Sequence, residues 1–87
     1  MKLPRDVSGE ELARRLTGLG YERTRQVGSH ARLTTGERGG HSITVPMHRD
    51  IRVGTLDAIL ERVAAHFGLA RTELVERLFG SGDSGES

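Results

Sequence analysis

Cysteine is missing from this sequence of 87 residues, and aromatic residues are scarce, with one tyrosine, two phenylalanines and no tryptophan. Without cysteine, the chain can form neither a disulfide framework nor a thiolate metal site. A cysteine-free chain is compatible with a reducing compartment, and we expect a cytoplasmic protein. The scarcity of aromatic side chains makes base stacking unsuitable as a main mode of nucleic-acid recognition, so shape and phosphate contacts would have to dominate.

The sequence also lacks a long apolar run and an apolar leader behind a basic start. A membrane-spanning helix needs about 18 consecutive apolar residues, and no stretch of this chain approaches that length. We therefore expect neither a membrane span nor a secretory signal. With 34% apolar residues in 87 positions, the chain can form one domain with a small core.

Charge is unevenly distributed, although the formal net charge is only +1. Residues 1–54 carry ten lysines and arginines against six acidic residues, whereas residues 55–87 carry three against six. This asymmetry predicts that one side of the domain, and not its whole surface, can bind a polyanion.

The first half of the chain has the pattern of a helix followed by three strands. Ser8 and Glu11 have the spacing of a capping box, and leucines recur at helical spacing up to Gly20, which predicts a helix over 8–19. Short runs of β-forming residues separated by turn residues predict three antiparallel strands, at 21–26, 31–34 and 41–45.

The second half predicts two helices and a tail. The longer helix should begin at Gly54-Thr55, with Thr55 as its cap, and end at Gly68. A shorter helix is predicted over about 70–79, and its apolar side chains could either cover the core or form a surface for docking or homo-oligomerisation. Residues 80–87 read as a disordered tail.

This order of elements predicts a two-layer α+β domain, in which the helices pack on one face of the antiparallel sheet and leave the other face free. The same order occurs in double-stranded RNA-binding domains, although order alone is a weak criterion. We assign residues 1–69 to the main domain, 70–79 to an additional helix and 80–87 to the tail.

His30 is the candidate reactive group. It follows the Gly28-Ser29 step, which leaves space for a phosphate backbone, and Arg25 and Arg32 flank it. Imidazole can accept or donate a proton near neutral pH, which suits general acid–base catalysis. The alternative is an exposed histidine at a strand end with no role.

The other three histidines are weaker candidates. His48, in a loop after a proline, could be a second acid–base group, a phosphate contact or a solvated residue. His41 and His66 are interpreted as residues without a role, His41 because it is placed on a polar strand face. No cluster of histidines or carboxylates has metal-ligand spacing, so we expect no metal site and no cofactor.

Several short motifs occur together in the order typical of one protein family: Lys2-Leu3-Pro4-Arg5, Ser8-Gly9, Leu19-Gly20-Tyr21, Gly28-Ser29-His30, Val45-Pro46-Met47-His48 and Gly54-Thr55-Leu56 with Ile59-Leu60. Through them, residues 2–67 resemble the HicA toxin family. The resemblance implies a double-stranded RNA-binding-like fold, cleavage of messenger RNA, and neutralisation by a HicB antitoxin. It also implies that His30 is catalytic. The strand Ala31-Arg32-Leu33, less apolar than is usual in the family, and the helix at 70–79 depart from the pattern.

Together, the residues and the resemblance predict a metal-independent messenger-RNA endoribonuclease of a type II toxin–antitoxin system, with His30 as general acid/base. The partners expected are messenger RNA and a HicB-type antitoxin that covers His30 and the nearby arginines. The alternative is a non-catalytic RNA-binding module of the same fold. The residues expected to contact RNA are Lys2, Arg5, Arg25, Gly28, Ser29, Arg32 and His48.

Overall fold

The computed structural model describes residues 6–80, which form a three-stranded antiparallel sheet with helices on one face. The predicted α+β architecture and the meander order β1-β2-β3 are confirmed. The predicted contacts Lys2 and Arg5, and the predicted tail apart from Gly80, lie outside the described residues. The elements are α1 (Gly9–Leu16), β1 (Glu22–Val27), β2 (His30–Thr35), β3 (His41–Pro46), α2 (Val53–Phe67) and α3 (Arg71–Val75), with 3₁₀ turns at Thr17–Leu19 and Glu37–Gly39 and a π-helical turn at Glu76–Gly80.

Helix α1 begins as the sequence predicts, because the Glu11 amide donates a hydrogen bond of 3.0 Å to the Ser8 hydroxyl. The second half of the expected capping box does not form, since the Glu11 carboxylate instead accepts a hydrogen bond of 3.0 Å from Arg15. The α-helix ends at Leu16, and a 3₁₀ turn completes the predicted span. Gly20 then adopts φ 88°, a left-handed conformation that favours glycine.

The core lies between the sheet and the helices. Inward-facing side chains alternate along β2 and β3, as period-two patterning requires, and Leu33, Ile43 and Val45 are buried. Tyr21 is also buried, at the junction between α1 and the sheet. Helix α2 contributes four buried side chains on one face: Leu56, Ile59, Leu60 and Val63. The opposite face of the sheet is left open, which is where the candidate site begins.

The prediction that Thr55 caps α2 is wrong, because the N-cap is Arg52, three positions earlier, and it makes no side-chain hydrogen bond. Tertiary contacts fix this start. Ile51 is buried, and its amide donates a hydrogen bond of 2.8 Å to the Val7 carbonyl, which holds the chain directly before the helix. The predicted end is confirmed, with Gly68 at φ 67°.

The predicted helix over 70–79 is present as α3 followed by the π-helical turn. The Arg15 guanidinium ties this segment to α1, since it donates a hydrogen bond of 2.6 Å to the Leu78 carbonyl and lies 5.0 Å from the centre of the Phe79 ring. The structure therefore favours the interpretation that this segment covers the core, and not that its apolar stripe forms a docking surface. The buried side chains are Leu74, Val75 and Leu78.

Candidate functional site

The hairpin between β1 and β2 sets the position of His30. Its two turn residues are Gly28 and Ser29, and of these only Gly28 has a positive φ, of 59°. A positive φ at the first central residue alone is the pattern of a type II′ turn, which suits the twist of a hairpin and favours glycine at that position. The turn therefore accounts for Gly28 structurally, and it places His30 at the exposed first position of β2.

The antiparallel register then brings His48 to His30. His30 lies opposite Pro46, so the loop that leaves β3 passes the hairpin turn, where the Met47 amide donates a hydrogen bond to the Ser29 carbonyl. On its other side, this loop is fixed to α1 by a hydrogen bond of 2.9 Å from the Gly9 amide to the His48 carbonyl. The two imidazole rings are 6.4 Å apart between centroids, at an interplanar angle of 65°.

A groove of about 440 Å³ runs between the end of β3 and the start of α2, and both imidazoles line it. It contains two possible proton-transfer groups, a guanidinium able to bind phosphate, and hydroxyls that can donate hydrogen bonds. Asp50 adds one carboxylate to this otherwise neutral or cationic set. The polar side chains lining the groove are His30, Thr44, His48, Asp50, Arg52 and Thr55.

The register of the hairpin extends the site across the outer face of the sheet. Val27 pairs with His30 across the turn, so Arg25 lies opposite Arg32. A β-bulge shifts the register between Arg23 and Arg25. The turn therefore sets the outward direction of Arg25, and the bulge changes only the pairing of the residues before it.

Arg25 and Arg32 give this face its positive charge. Like charges directly opposite one another on a sheet repel, and within residues 6–80 neither guanidinium has a carboxylate partner, whereas Arg15, Arg23, Arg71 and Arg77 are paired. The two arginines line a depression of about 230 Å³ that also includes Val27, His30 and Thr44. His30 and Thr44 thus join the positive face to the groove.

The structure therefore brings together His30, His48, Arg25 and Arg32 from the sequence prediction, while Gly28 and Ser29 form the turn that supports them. Sequence reasoning missed four side chains that line the groove: Thr44, Asp50, Arg52 and Thr55. Alternation along β3 could have identified Thr44, because Ile43 and Val45 must face inward. The others depend on the path of the loop after β3.

The remaining two histidines form a separate cluster, and the prediction that His41 lies on a polar strand face is wrong. His41 follows the same alternation as Ile43 and Val45 and so lies on the inner face of β3, at its edge. Its ring stacks on that of His66 at 4.6 Å, and its Nδ1 lies 2.8 Å from the Tyr21 hydroxyl. His66 Nε2 donates a hydrogen bond of 2.9 Å to the Glu37 carbonyl.

Burial lowers the pKa of His41 below its usual value, and the neighbouring His66 and Arg62 lower it further. Burial also raises the pKa of Tyr21 to about 12, so the phenol stays protonated and can donate to a neutral His41 ring. A histidine with a lower pKa in the folded state binds its proton more readily when unfolded. Its contribution to stability is therefore complete above about pH 6.5, and it decreases as the pH falls below that value.

We expect the urea midpoint of unfolding to decrease between pH 7.5 and pH 5.5, and to decrease less in a His41→Gln variant. Carboxylates also lower the stability in acid, and they do so in both proteins. The difference between the two pH profiles therefore measures the contribution of His41. His48→Gln, at an exposed histidine whose ring has no hydrogen-bond partner within residues 6–80, is the matched control and should keep the dependence of the unmodified chain. Identical pH profiles for the unmodified chain and His41→Gln would contradict the assignment.

In the part of the chain that the structure covers, no three histidine, aspartate or glutamate side chains come together in a way that could hold a metal ion. None of the helices over the same residues is long and apolar enough to cross a membrane.

A known family matches most of this chain. The family model described as HicA toxin of bacterial toxin-antitoxin matches residues 9–64, a segment that contains the hairpin turn, the loop after β3 and most of α2. No match was found among curated proteins or among solved structures.

Proposed function

The chain belongs to the HicA toxin family of bacterial toxin–antitoxin systems, and from this premise we propose that it is a messenger-RNA endoribonuclease in which His30 acts as general acid/base. The proposal rests on the exposure of the His30 ring and on its position between two surface features. Its ring is exposed and has no hydrogen-bond partner within residues 6–80, and it borders both the groove and the arginine-lined face.

RNA contains its own nucleophile, because the 2′-hydroxyl can attack the adjacent phosphorus. The enzyme then has three tasks: to remove the 2′ proton, to stabilise the charge that develops on the phosphate oxygens, and to assist the departure of the 5′-oxygen. An imidazole suits the proton transfers, and none of the three tasks requires a metal ion. We therefore propose a metal-independent reaction that leaves a 2′,3′-cyclic phosphate.

The positive face supplies the second part of the proposal. Guanidinium groups bind phosphate oxygens through parallel hydrogen bonds, and Arg25 and Arg32 have no carboxylate partner within the described chain to compete for them. We propose that these two arginines hold the RNA backbone so that one phosphate lies beside His30. With few aromatic side chains for stacking, such contacts give affinity with little base preference.

Membership of the family also implies a cognate antitoxin. We propose that this partner is of the HicB type and that it inhibits by covering the groove and the arginine-lined face, which are the surfaces that RNA would need. A neutralised complex in which the His30 ring remained open to solvent would contradict inhibition by occlusion.

The test is cleavage of RNA by the purified protein in the presence of a chelator, with a DNA strand of the same sequence as the matched control. We expect cleavage of the RNA, products ending in a cyclic phosphate, and no cleavage of the DNA, which has no 2′-hydroxyl. Cleavage that stops on chelation would contradict the metal-independent reaction. RNA binding without any cleavage would support the non-catalytic RNA-binding module instead.

A further inference from the structure

The molecule contains two histidine pairs, and they differ in what surrounds them. The rings of His41 and His66 are both half-buried and hydrogen-bonded, to the Tyr21 hydroxyl and the Glu37 carbonyl. The rings of His30 and His48 are both exposed, and neither has a hydrogen-bond partner among residues 6–80. The rings of His41 and His66 therefore make contacts within the protein, whereas the rings of His30 and His48 can bind a ligand in the groove.

The backbone holds the available pair in place. The loop that carries His48 is tied to the hairpin turn by the bond from the Met47 amide to the Ser29 carbonyl, and to α1 by the bond from the Gly9 amide to the His48 carbonyl. Neither bond uses an imidazole. The backbone that carries the two rings is thus fixed, and the rings themselves make no internal hydrogen bond that a ligand would have to break.

We propose that His30 and His48 form a general acid–base pair, in which the groove holds the scissile phosphate beside both rings. This inference rests on the proposed endoribonuclease function and extends it to a second catalytic residue. One ring is neutral and takes the 2′ proton as the 2′-oxygen forms its bond to phosphorus. The other ring is protonated and gives its proton to the 5′-oxygen as the bond from phosphorus to that oxygen breaks.

The separation of the rings decides where the phosphate lies. The attacking and leaving oxygens lie on opposite sides of phosphorus in an in-line displacement, and each must come within about 2.6–3.2 Å of a ring nitrogen. The 6.4 Å between the centroids of His30 and His48 is too short for a phosphate on the line that joins the rings, since two such hydrogen bonds alone take up about 5–6 Å. With the phosphate in the groove beside both rings, the attacking oxygen can lie near one ring and the leaving oxygen near the other.

The reaction balances without a further reactant. The neutral ring ends protonated and the protonated ring ends neutral, and one cyclic phosphate and one 5′-hydroxyl are released. Because the pair must hold one proton between its members, the cleavage rate should fall both at low pH, where the base is protonated, and at high pH, where the acid is deprotonated.

The test compares His30→Ala and His48→Ala on two substrates: ordinary RNA, and RNA in which sulfur replaces the bridging 5′-oxygen at one linkage. A thiolate leaves without needing a proton, so that linkage does not require the general acid. On ordinary RNA we expect both variants to lose about 10²- to 10⁴-fold in rate. The variant that lacks the general acid should regain most of the lost cleavage rate on the sulfur-containing substrate. In the same variant, the cleavage rate on ordinary RNA should no longer fall at high pH.

The matched control is His66→Ala, which removes an imidazole outside the groove and should cleave both substrates at the rate of the unmodified chain. If His48→Ala keeps full activity while His30→Ala loses it, the pair is wrong and the single-histidine function stands. If both variants lose activity and neither recovers on the sulfur-containing RNA, the acid role is refuted. If the unmodified chain cuts neither substrate, the proposed endoribonuclease function itself fails. Urea unfolding of each variant separates these outcomes from misfolding.

Discussion

Replacing His30 by alanine is expected to lower the rate of RNA cleavage by about 10²- to 10⁴-fold, which is the usual contribution of general acid–base catalysis. Alanine cannot accept the 2′ proton or donate to the leaving oxygen. Arg25 and Arg32, which we propose bind phosphate, remain, so the affinity for RNA should change little. The measurement is the cleavage rate at saturating RNA, together with the dissociation constant for a non-cleavable 2′-deoxy strand.

The folded structure should survive this substitution. The His30 ring is exposed and has no hydrogen-bond partner in the described chain, and surface changes of this kind usually alter the free energy of unfolding by no more than about 0.5 kcal/mol. His66→Ala is again a suitable control, because residue 66 lies eleven positions beyond Thr55 in α2, or about 16 Å along the helix. Equal loss of cleavage in both variants would point to a stability effect and against a catalytic role for His30.

A methyl group at residue 9 is expected to have the largest effect on stability among the glycine positions near the site. A Cβ there would overlap the Pro46 carbonyl oxygen and would lie 2.7 Å from the Met47 Cα. Both atoms belong to backbone, so the end of β3 and the loop after it would have to move. Overpacking of this kind costs about 1–3 kcal/mol, and we expect Gly9→Ala to lower the urea midpoint accordingly.

Gly54→Ala is the matched control, because Gly54 also lies in the first turn of a helix and a Cβ at that position meets no atom within 4 Å. This variant should be neutral, or more stable by about 0.4–1 kcal/mol because alanine restricts the unfolded chain. Gly9→Ala should also cleave RNA more slowly, since the loop that moves carries His48, and a displacement of about 1 Å can cost 10²-fold in rate. Equal stabilities of the two variants would contradict the close packing of α1 on this loop.

Local patterns predicted the elements of the fold well where the determinants are adjacent in sequence. The Ser8 cap, the left-handed Gly20 and the alternation of Ile43 and Val45 are all confirmed. The boundaries that failed depend on partners far away in the chain. The start of α2 is set by the contact between Ile51 and Val7, which no local pattern contains.

The site was predictable to the same limited extent. The motif around His30 identified one candidate residue, but the approach of His48 depends on how β2 and β3 align and on where the loop is fixed. The outward direction of Arg25 follows from the two-residue turn, which pairs Val27 with His30 and therefore Arg25 with Arg32. The bulge between Arg23 and Arg25 could not be predicted, because no local pattern marks the extra residue.

The contact of Arg15 with Leu78 and Phe79 has a consequence for how the molecule opens. The family match ends at residue 64, yet Leu74 and Leu78 share one apolar cluster with Leu12 and Leu16 of α1. Segments that share buried contacts open together in native-state fluctuations. We therefore expect the last helical segment and α1 to open as one cooperative unit, so that the chain beyond the family match helps to hold the backbone of His48 through α1.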